Sequence, residues 1–396
     1  MPTPLSVLDL APIPSGGTAS DALRNTLDLA RRAEQLGYRR YWVAEHHLTP
    51  GVASAAPAVL IALISGATSR IRVGSAAVLL GHHSPLVVAE EFGTIAHLHP
   101  GRVDLGLGRV ASNRAADLAR RFAEGVGAPS RVVDGLLVPA KPKGLARSEA
   151  QLARIAEQQR LVGRPVEGLD YRTQVGQVLQ YVTGGLRDSA GEPLHAQPAE
   201  GADLDVWVLG SSAGESSATA GALGLPYAAN YHVSPSTVLE SVSSYRDGFT
   251  ASTRLARPYV AVSADVVVAG TDEAARELAA PHARWVHSIR AGAGAIPYPS
   301  PAEAAAFPWT DQDRELVADR VATQFVGAPE TVVRGLATLR DVTGADELVV
   351  TTITHDHADR VRSYELLAEA WQASAAADEG HGGGGDGEEL DVRRQR

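Results

Sequence analysis

The sequence predicts an α/β protein, a single (β/α)8 barrel carrying insertions. Three observations predict it. Apolar runs of strand length alternate with helix-length segments almost from the first residue, the pattern of a parallel sheet covered by helices. Eight strand–helix units can be traced along the chain, the number that closes a barrel rather than an open doubly wound sheet. The 396 residues lie within the roughly 200 to more than 400 that such barrels span once insertions are included.

The elements follow in order. Leu5–Ala11 is a short apolar run and the first strand. Ser20 or Asp21 caps the first helix, and Gly37 stops it after Leu36. Tyr41–Glu45 is strand two, and Pro57–Thr68 is an apolar helix. Strand three spans Ile71–Leu80, with its helix at Pro85–Leu98. Strand four is Val103–Gly108, and Asn113–Glu124 is helical. The rhythm then breaks: Gly125–Asp170 is punctuated by Pro and Gly, is helical over Arg147–Arg160, and reads as an insertion near 125–170. A helix over Thr173–Val182 restores the pattern. Strand five is Asp205–Leu209, with a helix to Leu223. Strand six is Tyr227–Tyr231, with a helix over Pro235–Thr250. Strand seven is Val260–Ala269, with a helix over Asp272–Ile289. Ala291–Pro308 opens a second insertion, near 291–312. The helix Pro329–Thr343 precedes strand eight, Glu347–Ile353, and Ala358–Ala373 closes the barrel. Residues 1–373 thus form one domain. Residues 374–396 hold a Gly run and mixed charge without apolar periodicity, and read as a disordered tail.

Composition narrows the function. The formal charge of −10 argues against a nucleic-acid binder. The absence of cysteine excludes disulfides, Cys-ligated zinc, iron–sulfur clusters and a Cys nucleophile. The N-terminus lacks a basic n-region, and the most apolar stretch, Ala53–Ala67, is too short to span a membrane and contains Pro57. The expectation is a cytoplasmic protein with no membrane partner.

In such a barrel the active site lies at the C-terminal ends of the strands. Polar residues stand there: Asp9, Glu45-His46-His47, His82-His83, Arg109, Ser211-Ser212, Tyr231-His232 and His355-Asp356-His357. A His at a strand end suits general acid–base work, and strand alternation lets only one of His46 and His47 face the mouth; the bland alternative is a pair of structural histidines. The His pairs His97/His99, His355/His357 and His82/His83 lack the further ligands of a metal site, so no metal is expected, although a hydrolase built on His355 and His357 stays open. Gly106-Leu-Gly108-Arg-Val-Ala111 fits a dinucleotide fingerprint but has no acidic residue ending a following strand, which argues against a nicotinamide site. The stronger anion signal is Gly210 to Ser217, where a strand ends, a Ser-rich loop follows and a helix begins. Arg109 can supply a charge-assisted partner. Together they point to a phosphorylated cofactor; the ordinary alternatives are a Ser N-cap and a surface ion pair.

Tyr41-Trp-Val-Ala-Glu-His-His-Leu48, Val73-Gly-Ser-Ala-Ala-Val78, His83-Ser-Pro-Leu86 and Gly101-Arg-Val-Asp-Leu-Gly-Leu-Gly-Arg109 resemble, in order, segments of the bacterial luciferase-like flavin monooxygenases. Gly224-Leu-Pro-Tyr227 and Thr343-Gly-Ala-Asp-Glu-Leu348 continue the match, and the MsnO-type group found in biosynthetic clusters is the most similar. The resemblance implies a luciferase-like TIM barrel binding FMN at its mouth. A separate NAD(P)H:flavin reductase would supply the reduced FMN, which with O2 would give a flavin hydroperoxide that oxygenates a small, natural-product-like substrate. It also implies a homodimer. Position by position, His46 matches the catalytic His, with Glu45 beside it. Ala76 and Ala77 match a pair joined by a cis peptide next to the flavin ring. Arg109, Gly210, Ser211, Ser212 and Ser216 match the phosphate grip, and Asp9 and His232 fall near ring or substrate. Gly108 stands where luciferases carry a reactive Cys, so light emission is not implied. The same fold also serves deazaflavin (F420)-dependent hydride transfer and non-catalytic flavin-binding subunits, which remain the alternatives.

Overall fold

A computed structural model describes residues 3–109, 129–141, 149–163 and 169–381. Its centre is a closed barrel of eight parallel strand positions. In chain order the elements are β1 (Leu5–Asp9), α1 (Ala19–Gln35), β2 (Arg40–Val43), α2 (Pro57–Ala67), β3 (Arg72–Ser75), β4 (Val78–Leu79), α3 (Pro85–Leu98) and β5 (Val103–Gly108). After the hairpin β6 (Arg131–Val133) and β7 (Leu136–Val138) come α4 (Glu149–Val162), α5 (Tyr171–Thr183), β8 (Leu204–Gly210), α6 (Glu215–Ala222), β9 (Tyr227–Asn230), α7 (Val238–Asp247) and β10 (Val260–Val268). The chain continues with α8 (Asp272–Ala279), α9 (Pro281–Arg290), α10 (Pro301–Ala305), α11 (Asp311–Ala322), β11 (Phe325–Gly327), α12 (Pro329–Thr343), β12 (Glu347–Thr351) and α13 (His357–His381). Closure runs from β1 through β2, β3, β5, β8, β9, β10 and β12 back to β1, all parallel, with β4 continuing β3 along β5.

The expected barrel is the observed one, with local corrections. Strand three is two pieces, separated by a cis peptide between Ala76 and Ala77. Helix α1 is capped by Thr18 in a reciprocal capping box with Asp21, not by Ser20 or Asp21. The helix expected over Asp272–Ile289 breaks at Pro281, which has no N–H to continue the ladder. The first insertion holds an antiparallel hairpin turned by Asp134-Gly135, both at positive φ. The second holds α10 and α11, and β11 then pairs on β10. Helix α13 runs to His381, so the final helix takes in residues assigned to the tail. The helix expected at Asn113–Glu124 and residues 382–396 lie outside the described residues.

Inward and outward positions alternate along each strand, as the pleat requires. Outward residues such as Val7, Tyr41 and Val73 join the helices in the main apolar layer. Inward residues such as Leu8, Trp42, Trp207 and Val349 form an inner cluster with Trp285 of α9 and Tyr298 of the second insertion. At the N-terminal end charge replaces apolar filling. Arg40 donates through Nε to both oxygens of Glu347 at 3.1 Å and through Nη1 to Asp104 at 2.9 Å. Its guanidinium carbon lies 4.8 Å from the centre of the Trp207 ring, and the Trp42 indole N–H donates to Asp104 at 2.9 Å. Ser6 and Tyr259 also donate to Glu347. Every charge in this floor is paired, the condition under which burial is tolerated.

Candidate active site

At the C-terminal end, β2, β3–β4, β5 and β8 stand side by side, so their termini form one arc of the mouth. His46 and Glu45 leave β2 on opposite faces. His46 lies two residues beyond the inward-facing Ala44 and keeps accessible surface at the mouth of the barrel. Burial lowers its pKa and the Glu45 charge partly opposes this, so the imidazole is held towards its neutral form.

Glu45 is buried on the opposite face. Its Oε1 accepts from His47 Nε2 at 2.7 Å and from His83 Nε2 at 2.8 Å, while Oε2 accepts from the Leu79 backbone N–H at 2.9 Å. These bonds hold its carboxyl below the ordinary range against the opposing cost of burial, and they raise the pKa of His83. The expected proton-handling role of Glu45 is therefore corrected: its oxygens are occupied, and it ties the end of β2 to β4 and the turn that follows. Among the described residues this is also the group whose ligand atoms approach metal-site spacing, all within 4.8 Å. In this structure the three are joined to one another through Glu45 Oε1.

The Ala76–Ala77 pair sits between β3 and β4, against β5. A Cβ added at Gly108 would come within 2.9 Å of the Ala77 Cβ, which explains glycine there. The next residue, Arg109, is exposed and pairs with Glu215 at 3.2 Å. Ser211 and Ser212 are exposed on the loop leading to α6, and Ser216 is mostly buried in its first turn. Gly210 lets that loop pack, because a Cβ there would meet the Tyr227 hydroxyl at 2.5 Å. Helix α6 begins at Gly214 with no side-chain cap, so its first N–H groups are available to an anion. Guanidinium, serine hydroxyls and a helix N-terminus together suit a phosphate monoester, with Glu215 as the group it displaces from Arg109.

His232 follows β9 and lies near enough to His46 to interact with it electrostatically; its Nδ1 lies 2.6 Å from Ser263 Oγ, and burial takes its pKa down to about 4. Asp9 does not face the mouth. As an odd-numbered β1 residue it points outward, where its carboxylate accepts from Thr26, Tyr41, Arg360 and the Ala11 N–H at 2.5–2.8 Å. Its expected place in the substrate pocket is corrected. The His355/His357 metal reading also fails, because the two rings diverge: His355 lies against Ser15 and His357 against Asp28 on α1. Sequence reasoning missed Asp265, His282 and Arg320, which cluster beside His232. The signal for Asp265 was a carboxylate inside the otherwise apolar run Val260–Val268.

The model of the luciferase-like monooxygenase family matches residues 3–347. The chain is 38% identical over 373 residues to the Bacillus subtilis (strain 168) protein YvbT, covering 93% of this chain and 97% of that one. It is 34% identical over 364 residues to a luciferase-like monooxygenase of Escherichia coli (strain K12), covering 91% and 95%. The crystal structure of apo-MsnO8 superposes with a TM-score of 0.73 at 32% identity, covering 93% of this chain and 98% of that chain. No helix among the described residues is long and apolar enough to cross a membrane.

Proposed function

The chain belongs to the luciferase-like monooxygenase family, and from that premise we propose that it uses reduced FMN and O2 to oxygenate a small organic substrate. The observation that carries the reading is one arc of strand ends holding three unlike features: His46 at the barrel mouth, the Ala76–Ala77 wall and the anion cradle of Arg109, Ser211, Ser212 and the α6 N-terminus. When bound, reduced flavin supplies the electrons that activate O2. The protein's share is position and proton control. Arg109 and the serine loop would hold the phosphate, and Ala76 and Ala77 would stand beside the ring. His46, held towards its neutral form, takes up or returns a proton at its imidazole nitrogen beside the reacting centre.

A separate NAD(P)H:flavin reductase, working in the cytoplasm, is the proposed source of reduced FMN. We also propose a homodimer. Helix α2 is apolar on both faces, and Val59 and Leu63 on its outer side stay 63% and 56% exposed. Anaerobic titration with reduced FMN, followed by mixing with O2, tests the cofactor reading. Saturable binding and reoxidation slower than that of free flavin are expected. Absence of binding refutes it and makes reduced F420 the next titrant. Light scattering on the purified protein gives the oligomeric state.

A further inference from the structure

Histidine meets carboxylate at several places in the fold, and at most of them one ring faces one carboxylate: His195 and Glu200, His282 and Asp265, His287 and Asp313, His357 and Asp28. The group behind His46 differs. There the Nε2 atoms of His47 and His83 stand 2.7 and 2.8 Å from one and the same oxygen, Glu45 Oε1. Among the described residues it is the group in which three such ligand atoms converge, all within 4.8 Å of one another. The set takes one histidine from each of two adjacent pairs, His46-His47 after β2 and His82-His83 between β4 and α3. No spacing along the chain reveals it, because β2 and the turn before α3 meet only in the closed sheet.

Two imidazoles and one carboxylate form a donor set that zinc accepts, with a remaining position left to water. Bonds of about 2.0–2.2 Å in a tetrahedral site put ligand atoms about 3.3 Å apart, so the three groups need open by only about half an ångström. The rings have room to do so: the His47 and His83 side chains are 25% and 34% exposed. The same exposure gives an ion its way in from solvent. Glu45 is fully buried but already oriented, because its other oxygen, Oε2, accepts from the Leu79 N–H at 2.9 Å. Ligating carboxylates are commonly held in this way by a further hydrogen bond.

Charge favours a cation. Glu91 of α3 lies within electrostatic reach of both His83 and Glu45. Among the described residues the cationic partners of these two carboxylates are imidazoles, with no guanidinium or ammonium paired to either. A divalent ion would bring the positive charge that imidazole carries only when protonated.

We propose that Glu45, His47 and His83 form a binding site for a first-row divalent transition ion, represented by Zn2+, which fastens the end of β2 to the turn before α3. Each ring ligates through Nε2 and keeps its remaining proton on Nδ1. The site stands apart from the flavin reading, and no step of the proposed reaction passes through it.

The test is calorimetric titration of the full chain, stripped with a chelator and dialysed, using ZnCl2, with MgCl2 as the hard-cation control. One Zn2+ per chain is expected, with no comparable Mg2+ binding. His47→Ala and His83→Ala should each weaken Zn2+ by more than about 100-fold, beyond the 10–100-fold that loss of a ligand's supporting hydrogen bond costs. His195→Ala, at an exposed His–Glu contact elsewhere, should bind as wild type does. At about 100 times the measured Kd, Zn2+ should raise Tm by about 3 °C. A readout on the unaltered chain guards against variants that fold poorly: in NMR spectra, Zn2+ should move the ring signals of His47 and His83 and leave those of His195 and His357 in place. Absence of saturable Zn2+ binding, equal affinity in the His47 and His83 variants, equal binding of Mg2+, or unmoved His47 and His83 signals would overturn the assignment.

Discussion

Asp9 offers the sharpest contrast between its place at a strand end and the face it occupies. Fully buried, it accepts from Arg360 at 2.7 Å, Thr26 at 2.6 Å, Tyr41 at 2.5 Å and the Ala11 N–H at 2.8 Å. Asp9→Asn removes the charge and leaves the buried Arg360 guanidinium unpaired, a loss of about 3–5 kcal/mol. At about 2.1 cal/mol/K per residue, a chain of 396 residues unfolds with about 0.8 kcal/mol/K, so Tm should fall by about 4–6 °C. Calorimetry measures that shift. The Asp9 pKa is lowered in the fold despite its desolvation, chiefly by Arg360. Its contribution is therefore present above the ordinary Asp value and lost as pH falls through the folded value, so the difference from wild type should shrink in acid. The double variant Asp9→Asn/Arg360→Met, which leaves no buried charge, should recover part of the stability. Turnover per folded molecule should hold below the melting range. An unchanged Tm with abolished turnover would refute the outward placement and return Asp9 to the pocket.

Other perturbations separate the parts of the site. His46→Asn should bind reduced FMN within about twofold of wild type and lose about 10²–10⁴ in turnover, the span of a lost general acid–base; steady-state and binding assays together check it. Arg109→Ala should weaken reduced FMN about 10–100-fold, the effect of a charge-assisted hydrogen bond, as read by anaerobic fluorescence titration. Glu45→Gln should return the His83 midpoint towards its ordinary value in an NMR titration, because the Glu45 bond is the main cause of its rise. In wild type the His83–Glu45 contribution should be fully present below the ordinary His value and lost as pH rises through the raised His83 value. Dialysis against a chelator should leave flavin binding and turnover unchanged; loss restored by a divalent ion would make the Glu45, His47 and His83 group a metal site that turnover requires.

Most of the barrel was legible because its strands are short apolar runs separated by helical periods, and closure follows from their number. Strand-end position also brought His46, Arg109 and the serine loop to one mouth before any coordinates. Face was harder. Asp9 and Glu45 both sit at strand ends, but the pleat turns them towards the helix layer, and register decides that within one residue. The paired apolar runs around Asp134-Gly135 were a hairpin signal hidden in a long Pro/Gly-rich insertion, and Pro281 marked a helix break. The floor was not legible at all. Arg40 meets partners 64 and 307 residues away, and only the closed sheet makes them neighbours. Arg320 likewise reaches Asp265 across 55 residues of chain.

That floor also governs traffic. With Arg40 wedged between Asp104 and Glu347 beneath Trp42 and Trp207, the barrel is a cul-de-sac rather than a corridor. Organic substrate, spent product and carrier would then share the C-terminal mouth. Under the proposed reaction, arrivals and departures are therefore forced into a queue: whatever enters last blocks the exit of what entered first. Such an arrangement favours a strict order of visits and makes an occluding molecule at the rim compete with every visitor at once.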